Sequence, residues 1–294
     1  MDPHVVLMYA VPKGQFVGRS QLKVRLSSDF NRRTLPSEYE NTIDELWANR
    51  MQENPKLWNG TKFRIDSVEQ QGNTPVFKLG LSDYKDFICT NWSPNARLYH
   101  DLGEKNYANP QAYMSDALGV GSLVETSDGF MILLRRSAHV GEAVGLWDIP
   151  GGHPEPQELV GKIPISEIAL SVMPEEEVVD EIFNSTLREI ADEVNVPIGS
   201  LTDPQLMGIA RNTTSAGRPS SEYYVKCKLD SVEIRRLYKE GNQLEADETT
   251  SIMFVSMKDV LELQLHEIWQ NMAPSAKGCV TLFQVALANK KKEC

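Results

Sequence analysis

The chain has 294 residues with 30 Lys+Arg against 41 Asp+Glu, a formal net charge of -11 and 41% hydrophobic residues. That length supports a sizeable core, or one domain of about 150 residues with a substantial partner. The acidic balance excludes nucleic-acid binding through a broad basic surface, and no run approaches the roughly 20 apolar residues that span a bilayer.

Taken in chain order, residues 5–11 and 21–27 read as strands, and residues 37–52 place Tyr39, Ile43, Leu46 and Trp47 at helical spacing. Two strands follow as a hairpin about Gln71-Gly72-Asn73-Thr74. A short helix after it has Ser82 as its expected N-cap. The polar stretch from Gly103 to Pro110 is the expected connection between two parts of the chain. Beyond it, residues 119–126 and 129–137 are strands joined by Ser127-Asp128-Gly129. Further strands are expected at 204–213, 221–230 and 251–257, with helices at 175–194, 231–240, 258–271 and 276–290. Strands and helices interleave without strict alternation, so the natural class is α/β with a mixed sheet between helices.

Four cysteines (Cys89, Cys227, Cys279, Cys294) lack CxxC spacing, which argues against a zinc knuckle or a disulfide framework and favours a reducing compartment. The expected location is intracellular, cytoplasmic or nuclear, without secretion. Asn-x-Ser/Thr sequons beginning at Asn59, Asn91, Asn184 and Asn212 are read as chance matches. His4, His100, His139 and His266 lack a chemical context and are taken as structural.

The stretch that carries chemistry is WDIPGGHPEPQELV, followed after an insertion by STLREIADEVNV. In the second piece Leu187, Ile190, Ala191 and Val194 make one apolar helix face, while Glu189 and Glu193 stand four apart on another, beside Asp192. Like charges at that spacing repel unless a cation lies between them, and carboxylates suit Mg²⁺. An isolated Glu-x-x-x-Glu is more often a solvated acidic face; the Gly151-Gly152 turn ahead of it argues otherwise.

Together these pieces resemble the Nudix box of the diphosphate hydrolases: Gly152, five residues, Glu158, then Arg188-Glu189-Ile190-Ala191-Asp192-Glu193-Val194-Asn195-Val196. Three departures stand out. Asp192 replaces a glutamate, Asn195 replaces the closing glycine, and 29 residues separate Glu158 from Arg188 where the family has seven. Asn is the next choice after Gly for a left-handed helix end. The segments 78–92, 116–126, 148–156, 207–227 and 273–278 further resemble the UDP-sugar diphosphatase branch of that family.

The resemblance implies a Nudix α/β/α sandwich at 116–294 with an insertion at about 159–187, preceded by a smaller N-terminal α/β domain at 1–115 that contributes to the nucleotide site. It implies hydrolysis of UDP-glucose and UDP-galactose to UMP and hexose 1-phosphate, with Mg²⁺ or Mn²⁺ as cofactor. Glu189 and Glu193 match the catalytic, metal-binding carboxylates. Trp58, Tyr84, Arg136, Gly141, Asp148, His153 and Glu155 match substrate-contacting positions. The alternatives are hydrolysis of another nucleoside diphosphate derivative such as ADP-ribose, or a non-catalytic nucleotide-binding module.

The charge is concentrated. Between Asp148 and Glu193 there are twelve acids against Lys162 and Arg188, a net of -10, so the rest of the chain is nearly neutral. An anionic sugar nucleotide is therefore expected to need divalent cations to bind there.

Overall fold

The computed structural model describes residues 2–288 except 139 and 141. Its elements, in order, are β1 (Val5–Ala10), β2 (Lys23–Leu26), α1 (Ser37–Glu53), β3 (Thr61–Gln71), β4 (Thr74–Asp83), α2 (Tyr84–Thr90), α3 (Ala96–Tyr107), β5 (Gly119–Glu125) and β6 (Phe130–Arg136). Then come β7 (Trp147–Asp148), β8 (Gly151–Gly152), α4 (Gln157–Val160), α5 (Glu175–Val194), β9 (Gln205–Asn212), β10 (Arg218–Lys226), α6 (Ser231–Glu240), β11 (Thr249–Ser256), α7 (Met257–Val260) and α8 (Pro274–Leu287). Among the described residues no helix is long and apolar enough to cross a membrane.

The large sheet runs β1-β9-β10-β5-β6-β11, with β7 on β6 and β8 on β5. β10 and β5 are parallel and the other pairs antiparallel, so the sheet is mixed. Alternation along β5 sorts its side chains between two layers. Val120 and Val124 pack with Val178, Ile182 and Ile190 of α5, and Leu123 packs with Val280 and Phe283 of α8. This is an α/β/α sandwich, as expected.

A second, three-stranded sheet runs β2-β4-β3. Ile43 of α1, Phe87 and Ile88 of α2 and Tyr99 of α3 form a separate buried cluster beside it, with Tyr39, Leu46 and Trp47 packed on. β1 belongs to residues 1–115 yet is an edge strand of the large sheet, paired with β9.

Several expectations are corrected. The N-cap of α2 is Asp83, whose carboxylate accepts from the Asp86 N–H at 2.8 Å; Ser82 is buried in β4 and bonds to Ser115. The stretch from Gly103 to Tyr107 is the second half of α3, not a connection. Gly103 is required there because a Cβ would lie 2.5 Å from the Asn109 carbonyl oxygen, where the chain folds back through left-handed Ala108. Residues 258–271 form the short α7 and two 3₁₀ turns, because Leu263 and Trp269 must be buried while Leu265 stays exposed, a division one continuous helix does not give. β10 begins at Arg218, after left-handed Gly217.

The insertion is not a loose loop. Its second half is the first three turns of α5, entered from Pro174 with Glu175, Glu176 and Glu177 against the positive end of the helix. Glu175 accepts from the Leu26 N–H of β2 at 3.0 Å, and Asp180 pairs with Arg19 at 2.9 Å. Ile168, Met173, Val178 and Ile182 join one core with Phe63 and Leu79 of the small sheet and Val120 of the large one. Each such fully buried side chain contributes about 1.5–3 kcal/mol. The insertion thus fastens the two sheets together.

Candidate active site

Helix α5 supplies the acids and the loop after β7 supplies the donors that aim them. The loop runs extended along α5, so alternate backbone N–H groups face the helix. Gly151 N–H donates to Glu193 Oε2 at 3.1 Å, His153 N–H to Glu189 Oε1 at 3.3 Å, and Glu155 N–H to Glu181 Oε1 at 3.2 Å. This contact is why glycine stands at 152: a Cβ there would lie 2.1 Å from Glu189 Oε1. Asn195 closes α5 in the left-handed conformation, and its side chain donates to the Leu237 carbonyl at 2.7 Å.

Burial pushes the Glu189 carboxyl up to about 8, reinforced by Glu245, Glu248 and Asp192 and opposed by the His153 N–H. Glu193, only 2% exposed, is held well above the carboxylate range by burial and then by Glu189, Glu245 and Glu248. Carboxyl oxygens of Glu193, Glu245 and Glu248 lie within 4.8 Å of one another. Crowded carboxyls of this kind ionise fully only when a cation balances them, so the donor set fits a divalent ion.

Glu189, Glu245 and Glu248 edge a cavity of about 600 Å³ between the two sheets. One wall comes from residues 1–115: Lys62, Tyr84, Phe87 and Trp92. Arg136 lines the cavity from β6; its Nε–H donates to the Glu142 carbonyl at 2.8 Å and its guanidinium stands 3.5 Å from Asp148. Asp148 also accepts from the Ser275 hydroxyl at 2.7 Å; burial raises its pKa, and Arg136 and Ser275 oppose the rise. His153 is half-buried, its Nε2 atom enclosed and without a hydrogen-bond partner among the described residues, beside the Phe87 ring at 6.4 Å. Burial first, then Lys62 and Arg218, keep it neutral well below its ordinary pKa. Glu155 is gripped by Lys62 and Gln157.

The cavity wall therefore brings together Tyr84, Arg136, Asp148, His153, Glu155 and Glu189. Glu193 lies directly behind it. Trp58 is not in the wall: its indole is 60% exposed on the rim, close to Gly60 and Glu155. Gly141 and His139 lie outside the described residues. Glu158 lines the cavity from α4, and neither it nor Glu189 belongs to the close group of Glu193, Glu245 and Glu248.

Sequence reasoning missed Lys62, Trp92 and Arg218, which line the cavity from unrelated elements, and Glu245 and Glu248, which approach α5 through the Glu245 N–H to Asp192 carbonyl bond at 3.1 Å. The run Glu245-Ala246-Asp247-Glu248 just ahead of a strand was the one available signal.

No family model matches the chain. The uridine diphosphate glucose pyrophosphatase NUDT22 of Bos taurus is 43% identical over 289 residues, which cover 96% of this chain and 97% of that protein. The protein of the same name from Homo sapiens is 42% identical over 289 residues, covering 96% and 93%. Nudix hydrolase 9 of Arabidopsis thaliana is 32% identical over 272 residues, covering 86% and 83%. Among solved structures, the MutT protein of Methanosarcina mazei Go1 aligns with 59% of this chain and 95% of its own at 18% identity and a TM-score of 0.35. The identity to Nudix hydrolase 9 runs through most of both chains and includes the segment from Gly152 to Val196, and on that ground the chain belongs to the Nudix hydrolase family.

Proposed function

We propose that this protein hydrolyses the diphosphate of UDP-glucose and UDP-galactose to UMP and hexose 1-phosphate, with Mg²⁺ as its metal. The observation that carries the reading is the 43% identity, over nearly the whole of both chains, to a protein named a uridine diphosphate glucose pyrophosphatase. Nudix hydrolases are typically dependent on a divalent metal. Here Glu189 and Glu193 would hold it, with Glu245 and Glu248 completing the oxygen set.

When bound, the metal supplies charge neutralisation on the diphosphate and a lowered pKa for its water. The chain's own residues do the rest. Glu189 gives one oxygen to the His153 N–H and keeps the other to accept a proton from the attacking water. Lys62 and Arg136 line the cavity but are paired with Glu155 and Asp148, and neutral His153 donates or accepts through its Nε2, which has no partner among the described residues. Tyr84, with Trp58 at the rim, offers the flat face on which uracil stacks, worth about 1–3 kcal/mol per base.

Incubation with UDP-glucose and Mg²⁺ in ¹⁸O-water, with and without EDTA, tests this by ³¹P NMR. UMP and glucose 1-phosphate are expected with Mg²⁺ only, one carrying the label that shows which phosphorus is attacked. Faster cleavage of ADP-ribose in a nucleotide panel would reassign the substrate. Binding of UDP-glucose without turnover would make the chain a non-catalytic module.

A further inference from the structure

The insertion interrupting the box delivers a buried acid whose contacts give it a task. Glu181 lies in the helical half of the insertion, seven residues before Arg188, and is 4% exposed. One of its oxygens, Oε1, takes both the Arg188 guanidinium, at 2.6 Å, and the Glu155 N–H, at 3.2 Å. Glu155 in turn holds Lys62 at the cavity wall. Glu158, in α4, has no side-chain hydrogen bond or ion pair among the described residues. Arg188 directly precedes Glu189 in the chain and feels its charge as well as those of Glu181 and Glu158.

We propose that Glu181 is a positioning residue that holds the Arg188 guanidinium away from the metal-binding carboxylates and fixes the loop through Glu155, so the insertion completes the box it interrupts. The proposal rests on Glu189 and Glu193 holding the metal. Without the Glu181 charge, the nearest acids left to Arg188 are Glu158 and Glu189, and a guanidinium on Glu189 competes with a cation there.

The test combines Mn²⁺ binding, read by the electron paramagnetic resonance signal of free Mn²⁺, with Mg²⁺ titration of UDP-glucose hydrolysis. Glu181→Gln is expected to weaken Mn²⁺ binding about tenfold and to raise the half-activating Mg²⁺ concentration in parallel. The double variant Glu181→Gln/Arg188→Gln is expected to regain most of that loss, which a merely structural acid would not allow. Arg188→Gln alone, which leaves the buried acid in place, is expected to keep Mn²⁺ affinity within about twofold. The proposal is overturned if Glu181→Gln binds Mn²⁺ like an active wild type. It is also overturned if the double variant shows no recovery, if Glu158→Gln shifts Mn²⁺ as far as Glu181→Gln does, or if Arg188→Gln alone loses more than about tenfold. A wild-type protein that neither binds Mn²⁺ nor hydrolyses UDP-glucose would overturn this proposal together with the metal site beneath it.

Discussion

Gly151 and Gly152 are adjacent, and added methyl groups would meet different obstacles. At Gly151 the obstacle is backbone, the Val120 carbonyl oxygen at 2.4 Å; at Gly152 it is the end of the Glu189 side chain. A carboxylate can swing away and a strand cannot. Gly152→Ala is therefore expected to keep a near-native unfolding midpoint while kcat falls by about 100-fold, since an ångström-scale misplacement of a reacting group costs that much. Gly151→Ala is expected to lower the midpoint as well. Thermal unfolding and kcat measured on both variants check the pair, and a Gly152→Ala protein with normal kcat would show that the position of Glu189 is not critical.

Glu222 poses a different residue-scale question. It is fully buried in β10, no cation forms an ion pair with it among the described residues, and Gly121, Ser220, Asp148, Cys279 and Arg218 surround it. Burial pushes it up to about 7, with Asp148 adding to the rise and Ser220, Cys279 and Arg218 opposing it. The folded protein thus holds this proton more tightly than the unfolded chain. Its contribution to stability is fully present below about pH 4.5 and is lost as pH rises through about 7, amounting to about 3 kcal/mol at most. Relative to wild type, Glu222→Gln is expected to gain stability between pH 5 and pH 8. Denaturant unfolding at both pH values measures that gain; a difference that does not move with pH would show that Glu222 is not the group titrating.

At the scale of elements, α5 was legible at both ends because its signals are local. A proline and three glutamates open it, and Asn195 closes it in the left-handed conformation that the missing glycine would have taken. The hairpin of β3 and β4 turns at Gly72 with positive φ, again a local cue. Residues whose state is set by distant packing were misread: Gly103 looked like a loop glycine until Asn109 folded back on it, and the Leu261-to-Trp269 stretch looked helical until Leu263 and Trp269 had to be buried. The site divides the same way. Glu189 and Glu193 lie in a contiguous motif, whereas Lys62 of β3, Arg218 of β10 and the turn holding Glu245 and Glu248 reach the site from three separate pieces of tertiary structure that no spacing rule connects. The Gly151, His153 and Glu155 N–H ladder falls between these cases, since its period of two is readable but its partners on α5 are not.

At the scale of the whole molecule, the net charge of -11 overstates what a ligand meets. Screening limits exposed charges to a range of about 8 Å at physiological salt, so charges elsewhere on the surface contribute little inside the cavity. The cavity wall itself carries seven acids (Glu142, Asp148, Glu155, Glu158, Glu189, Glu245, Glu248) against Lys62, Arg136, Arg188 and Arg218. Three of those cations are already engaged with Glu155, Asp148 and Glu181, and Arg218 faces Glu142 at 3.4 Å. An anionic diphosphate entering this wall gains little from fixed positive charge and needs a mobile one. Calorimetric titration of UDP is therefore expected to show affinity falling at least about tenfold when Mg²⁺ is replaced by EDTA. Raising monovalent salt in EDTA should recover little of the loss, because the repelling carboxylates are partly buried and poorly screened. Equal UDP affinity with and without divalent cations would mean that the fixed cations suffice and that the acidic cluster on α5 does not govern binding.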